Sequence, residues 1–521
     1  PRSLSDLKGN RLQIRLDGPF FAASLGNSST IALRNRQKLS SPSRIFASIL
    51  QVRQAPRRRN SVRWAPAAGL LAMNAVSTLQ RLRSEMRATG LLALPLVLGQ
   101  LSSMAMNVVD TILAGRHSAL TQAAVAIGTA VWSVAILSLI GVMMAVPPSV
   151  AQLDGAGRRQ EIARVFRQSL WLALLMGFGL WLFLRHAGWL LELAGVAADV
   201  RPQALGFLDG VSWGAPALAL LLCFRYLSEG VSLTRPTMVI GLVGLLFLVP
   251  LGYALMFGAW GMPELGARGL GIATSVTLWS QASAFAWHLS RGRGYRDLHL
   301  YATWEWPQWK PIAQLLKIGL PMGFSVFMEG GLFIATALII GSLGTIPTAA
   351  HQVAINLASV TFMVPLGVAM ATTVRVGNAV GRADVPGVRW AGGAGYAITL
   401  VTQAASALVL LVGAPWIAAI WTSDRAVAAL AAQLMLLAAA FQFSDGIQAA
   451  SSGALRGMKD TRMPMLITVL AYWGLGMPMG YWLGIVRGEG AAGMWVGLIV
   501  GLTAAAVLLT WRFHVLSKHP L

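Results

Sequence analysis

Between residues 91 and 512 the sequence divides into twelve apolar runs, each bounded by short polar or basic segments. They fall at about 91–115, 122–147, 164–186, 203–228, 237–259, 266–289, 314–342, 347–374, 390–413, 426–453, 463–485 and 490–512. At a rise of 1.5 Å per residue, helices of this length cross a hydrocarbon core of roughly 30 Å. Gly and Pro interrupt many of the runs, which membrane helices tolerate. With 56% hydrophobic residues, 12% charged residues and a mean hydropathy of +0.63, the chain is too apolar for a solvated surface. The expected fold is an all-α integral membrane protein of twelve transmembrane helices. Cys223 is the only cysteine, so no intrachain disulfide can form. No zinc-type Cys/His spacing, Walker loop or G-x-S-x-G elbow occurs, which gives neither ATP-driven transport nor an enzyme any support.

Charge is distributed as membrane proteins distribute it. The net charge of +22 invites a nucleic-acid reading, but 13 of the 41 Lys and Arg lie in residues 1–80 and most others in short loops. Counted from residue 81, alternate loops hold 22 basic residues on one side and six on the other (Arg116, Arg185, Arg201, Arg268, Arg425 and Arg487). The positive-inside rule then places both termini in the cytoplasm. Residues 1–72 differ from the rest: rich in Arg, Ser and Pro, without methionine and without apolar periodicity. They are expected to be a disordered or non-native extension, with translation beginning at Met73; a transit peptide is the rival reading.

The chain also repeats itself. At an offset of 226, Leu94-Pro95 falls on Leu320-Pro321, Gly115 on Gly341, Ala123-Ala124 on Ala349-Ala350, Gly141-Val142 on Gly367-Val368, and Gly155 on Gly381. Runs one and two therefore correspond to runs seven and eight. Six helices separate the copies, so they share one orientation, and a pseudo-twofold axis along the membrane normal is implied. The expected lobes are residues 73–300 (helices one to six) and 301–521 (helices seven to twelve), as in an alternating-access transporter.

Three acids sit alone inside apolar runs: Asp110, Glu329 and Asp445. A charge at such depth costs roughly 2.5–3.5 kcal/mol on insertion scales, and intramembrane carboxyls mark ion or proton sites by default. At the repeat offset Glu329 falls on Ser103 and Asp110 on Thr336. The halves are thus built alike but charged differently, which suggests separate tasks. Glu229 reads as a loop-facing ion-pair partner of Arg225 or Arg235. His351 reads either as pathway lining or as a hydrogen-bonded core histidine.

NVVDTILAG in run one, GLPMGFSVFMEGGLF in run seven, AAHQVAINLASVTFMVPLG in run eight and FSDGIQAASSGALRGMKD after it resemble the multidrug and toxic compound extrusion family, above all its NorM-type bacterial branch. The resemblance covers about residues 75–517. It implies a two-lobed, V-shaped antiporter of the bacterial inner membrane that exports cationic and amphipathic compounds in exchange for sodium ions or protons. It also implies a C-lobe cation site at Glu329 and Asp445, which would be the sodium ligands of a sodium-coupled protein. The family's tyrosine one turn before Asp445 is Phe441 here. That removes a hydroxyl from a site where a hard cation wants several oxygens. In the N-lobe, Asp110 and Thr274 match the family pattern, but its N-x-P-x-N asparagines are Leu248 and Gly252. Asp110 then sits in drier surroundings, which suits a proton better than sodium; the proton is the expected coupling ion.

Gln352, Met328 and Met363, with His351 and Thr274, are candidates for substrate or pathway lining. Met143, Met144, Phe333 and Met370 could add a polarizable apolar wall. No cofactor is expected, and the chain is expected to be a monomer in the bilayer with small-molecule substrates as its partners. A flippase for lipid-linked substrates is the alternative, disfavoured because the mid-membrane charges are acidic. The basic segment RGMKDTR reads as topology and headgroup contact.

Overall fold

The computed structural model describes residues 67–518, with side chains from residue 80. Everything below concerns the compact unit Ala75–Leu521. The expectation for residues 1–72 lies, apart from the last six, outside the described residues. Among the described residues the chain is helical with no strand. The spans are α1 (Gln80–His117, within a helix that starts at Ala67), α2 (Ala119–Gly155), α3 (Arg159–Arg185), α4 (Arg201–Ser212 and Ala215–Gly230), α5 (Arg235–Phe257), α6 (Gly266–Arg291), α7 (Trp309–Gly341), α8 (Thr345–Gly381), α9 (Val385–Trp421), α10 (Arg425–Gly457), α11 (Arg462–Val486) and α12 (Gly490–Leu516).

Each apolar run lands on one helix, and the differences have physical causes. The two halves of α4 meet at a 45° bend beside Pro216, whose ring cannot continue the preceding hydrogen-bond ladder. Ten helices are apolar enough to cross a membrane by composition alone, and α4 makes eleven when its halves count as one span. The remaining helix, α6, is long enough but carries Ser275 and Gln281 towards the protein, where Ser275 donates to the Gly210 carbonyl at 2.7 Å. Helix α11 contains two π-helical stretches, Leu470–Gly476 and Trp482–Val486. Mid-span residues such as Leu175 (69% exposed), Leu246 (72%) and Phe324 (47%) face outward. Such a surface is stable only against lipid. Trp189, Trp260, Trp309, Trp421 and Trp511, exposed near helix ends, suit the bilayer interfaces.

Two apolar cores give the two lobes. One draws on residues from Leu113 to Leu315, the other on residues from Leu332 to Phe513. The lobes meet through contacts that obey the sequence repeat. A Cβ on Gly141 (α2) would lie 2.1 Å from the Gly323 Cα (α7); a Cβ on Gly367 (α8) would lie 2.8 Å from the Val97 nitrogen (α1). Gly141 and Gly367 are 226 apart, and so are Val97 and Gly323. The same holds nearer the helix ends. Gly155 packs on the Asn378 carbonyl and Gly381 on the Gln152 carbonyl. These glycines are required because backbone meets backbone with no room for a side chain. The pseudo-twofold axis is therefore written in matched close approaches.

Candidate functional site

The seal between the lobes lies at one end. The hydrogen bonds that link helices of the two lobes include Gln152 Nε2 to the Gly457 carbonyl (2.9 Å), Asn378 Nδ2 to Ser232 Oγ (3.1 Å), and Arg375 to Glu85. All belong to the helix ends that share a side with the chain's amino- and carboxyl-terminal spans. Beyond this seal lies a cavity of about 670 Å³ lined by both lobes. Apolar groups dominate its wall, among them Met106, Trp132, Met322, Phe333, Phe362 and Met363. That is a suitable surface for flat, greasy molecules of more than one shape.

Helix α1 brings Asp110 to this cavity. It is buried, and its Oδ1 has no hydrogen-bond partner among the described residues. Thr274 of α6 also lines the cavity, but its hydroxyl donates to the Leu270 carbonyl at 3.1 Å. Leu248 and Gly252, at the two positions where the family pattern has asparagines, are buried and offer no polar atom.

In the other lobe, α7 carries Glu329 and α10 carries Phe441 and Asp445, all on the cavity wall. Asp445 is 5% exposed and its Oδ1 again lacks a partner. Phe441, one turn before Asp445, stacks edge-on against Phe333 and Trp495 with ring centroids 6.1 and 5.6 Å apart. An aromatic cluster thus replaces a hydroxyl at that position. The sequence reading missed Tyr472. It is fully buried in a π-helical stretch of α11, and its hydroxyl has no partner among the described residues. Helix α11 is fastened to α7 in the turn before Glu329: Ser325 bonds Thr468, just ahead of this stretch (2.9 Å), and Trp473 Nε1 within it donates to the Met328 carbonyl (3.1 Å). A π-bulge inside an otherwise regular helix often marks a functional site. The tyrosine in AYWGLGMP was the available signal.

Three candidates fall elsewhere. His351 is 3% exposed in the C-lobe core, where its Nδ1 accepts from Trp495 Nε1 at 3.2 Å, so it is the core histidine of the two readings. Gln352, the next residue along α8, is exposed outside the cavity and reaches Asn356 at 3.4 Å. Met328 does not line the cavity either; its backbone is held by Trp473. Of the further apolar candidates, Met144, Phe333 and Met370 line the cavity and Met143 belongs to the N-lobe core.

Nor is Glu229 a loop-facing partner. It is 1% exposed, bonded by Arg225 Nε at 2.7 Å and approached by Thr237 Oγ1 at 3.4 Å, while Arg225 also reaches Gln100 Oε1 at 2.5 Å. Among the described residues no three His, Cys, Asp or Glu side chains converge as a metal cluster. A cation held by Glu329 and Asp445 would need further oxygens from water or backbone.

The family model MatE matches residues 95–254 and 321–482, one block in each lobe. A protein described as probable multidrug resistance protein NorM from Xanthomonas campestris pv. campestris is 53% identical over 442 residues, covering 85% of this chain and 96% of that protein. Multidrug resistance protein MdtK of Yersinia pseudotuberculosis serotype O:1b is 40% identical over 447 residues, 85% and 98% of the two chains. Among solved structures, the outward-facing conformation of a multidrug resistance MATE family transporter of the MOP superfamily superposes with a TM-score of 0.76 at 20% identity, over 84% of this chain and 97% of that one.

Proposed function

The chain belongs to the MatE family, and we propose that it is a secondary antiporter. In this reading it exports cationic or amphipathic compounds across the bacterial inner membrane in exchange for protons or sodium ions. One observation carries the proposal. A single cavity between two pseudo-symmetric lobes has four carboxyls on its wall. Asp460 is paired with Arg512, whereas Asp110, Glu329 and Asp445 make no ion pair among the described residues, and the Oδ1 atoms of Asp110 and Asp445 lack any hydrogen-bond partner there. An unpaired carboxyl in an apolar wall is costly, and it can exchange a proton or cation for a cationic guest.

With the termini in the cytoplasm, the seal through Gln152, Gly457, Asn378 and Ser232 lies on the cytoplasmic side, and the cavity faces outward. Rocking of the lobes about the matched glycine contacts would then expose the same carboxyls to either side in turn. Phe441 and the apolar surroundings of Asp110 leave few fixed oxygens for sodium, which favours the proton as coupling ion. The flippase reading, with a cationic lining, fits less well: Arg225 is neutralised by Glu229, and the unpaired charges are mainly acidic.

Drug resistance in a hypersensitive bacterium tests the proposal. The full chain should confer resistance to cationic amphiphiles, and Glu329→Gln should remove it at equal membrane abundance. Wild-type resistance from that variant would remove the coupling role.

A further inference from the structure

Two arginines, Arg225 and Arg456, also line the cavity; Arg225 is paired with Glu229, and the unusual one is Arg456. It sits in the last turn of α10, at the sealed end of the cavity, and lines it. The repeat shows what is unusual about it. Gly230 packs on the Val150 side chain and the Pro147 carbonyl, and Gly457 packs on the Val376 side chain and the Thr373 carbonyl. Val150 and Val376 are repeat mates, as are Pro147 and Thr373, so Gly230 and Gly457 are equivalent positions. The residue before each is then equivalent too: Glu229 in one lobe, Arg456 in the other. Glu229 is neutralised by Arg225, four residues earlier. The residue four before Arg456 is Ser452, which has no charge.

Arg456 consequently has no carboxylate within salt-bridge distance among the described residues. Its Nε donates to the Ser452 carbonyl at 3.1 Å and its Nη1 meets only the Met144 sulfur at 3.8 Å. The other lining charges at this end, Arg225 and Asp460, are paired with Glu229 and Arg512. Arg456 is also in register with the acidic wall. Asp445, Gln448, Ser452 and Arg456 all line the cavity and form one polar stripe along α10. Eleven residues are close to three helical turns, so Asp445 and Arg456 share a face about 16 Å apart along the axis. Helical side chains tilt towards the amino terminus, and the bond to Ser452 shows this lean; because the arginine side chain is the longer of the two, its charge reaches back towards Asp445 and the gap is shorter than the axial spacing.

We propose that Arg456 is an anion subsite of the transport cavity, the residue by which the cavity tells a zwitterionic amphiphile from a purely cationic one of the same shape. The cationic end of such a guest lies at the carboxyls of Glu329 and Asp445, and its carboxylate lies on the Arg456 guanidinium. A planar fork of N–H donors suits a carboxylate, and in an apolar wall the pairing is stronger than in water. The inference rests on the reading of the cavity as the substrate site.

Rhodamine B, a zwitterion, and its ethyl ester, a cation of nearly the same shape, separate the two ideas. Binding of each to the purified full chain in detergent is measured by fluorescence anisotropy, for the wild type, Arg456→Gln and Arg456→Lys. Arg456→Gln should weaken rhodamine B about tenfold and leave the ester within twofold. Arg456→Lys should retain most of the zwitterion affinity. The unchanged ester shows that the fold and the rest of the cavity are intact. Equal loss for both dyes would make Arg456 a helix-end or structural cation. No change for either dye, or tighter ester binding alone, would equally overturn the subsite. If the ester does not bind the wild type, the substrate-site reading fails and takes this inference with it.

Discussion

The two lobes share a backbone plan and differ in where they keep their charges. Gly141 and Gly367, Gly155 and Gly381, and Gly230 and Gly457 make equivalent contacts in each half. The polar groups do not repeat. One lobe presents a single carboxyl to the cavity, Asp110, and has buried Leu248 and Gly252 at the positions where the family pattern has asparagines. The other presents Glu329 and Asp445, with the buried Tyr472 hydroxyl on the neighbouring α11. Even the equivalent positions Glu229 and Arg456 carry opposite signs. The backbone contacts between the lobes are matched, and the polar groups of the cavity wall are not. In the proposed mechanism the matched contacts are where the lobes would rock, and the unmatched groups are where they would bind and couple.

Neutralisation should expose that division most strongly. Glu329→Gln or Asp445→Asn should reduce drug efflux to background, a loss of about tenfold or more, because an amide keeps size and polarity but cannot exchange a proton. Asp110→Asn should cost less, about threefold to tenfold on the same grounds. Efflux assays on cells with matched transporter abundance check both, and equal losses from the two lobes would erase the functional asymmetry.

The symmetric contacts should respond symmetrically. Gly141→Ala places a methyl where the Gly323 backbone lies, and Gly367→Ala places one against Val97. Each should destabilise the closed seal by about 1–3 kcal/mol, as overpacking does. Thermal unfolding in detergent, together with accessibility of a cysteine introduced at the sealed end, would register it. A large effect from one and none from the other would break the pseudo-twofold account of the motion.

A smaller effect is expected from Tyr472→Phe. Burying a hydroxyl without a partner costs about 1–3 kcal/mol, so its removal should leave stability equal or higher. If the hydroxyl serves the coupling site, efflux should nevertheless fall by a few-fold. Higher melting temperature with unchanged efflux would make Tyr472 a packing residue only.

Much of this was legible before the structure because it depends on runs of residues. Apolar length located the twelve spans, and the ungapped offset of 226 pointed to the pseudo-twofold axis; which glycines meet across it came from the structure. Asp110, Glu329, Phe441, Asp445, Thr274 and Met363 do line one cavity. What depends on the rotation of one helix against another was not legible. His351 and Gln352 are adjacent, yet one faces Trp495 in the core and the other faces outward, since consecutive helical residues point about 100° apart. Tyr472 lies in an apolar run that gives no sign of where its hydroxyl points; only the helix packing shows it buried without a partner among the described residues. Glu229 and Arg456 were counted with the loops because each ends an apolar run; only the packing of α4 and α10 around the sealed end shows Glu229 buried and Arg456 on the cavity wall.

The account turns on Glu329 and Asp445 exchanging a small ion as the lobes rock, with the proton favoured by Phe441 and the dry surroundings of Asp110. Efflux from proteoliposomes, under an imposed pH gradient or an imposed sodium gradient, measures this directly. The wild type should transport under the pH gradient without sodium, Glu329→Gln under neither gradient, and Phe441→Tyr should gain sodium dependence. Efflux driven by sodium alone, with no further sodium dependence in Phe441→Tyr, would contradict proton coupling. Undiminished efflux from Glu329→Gln would contradict the whole assignment.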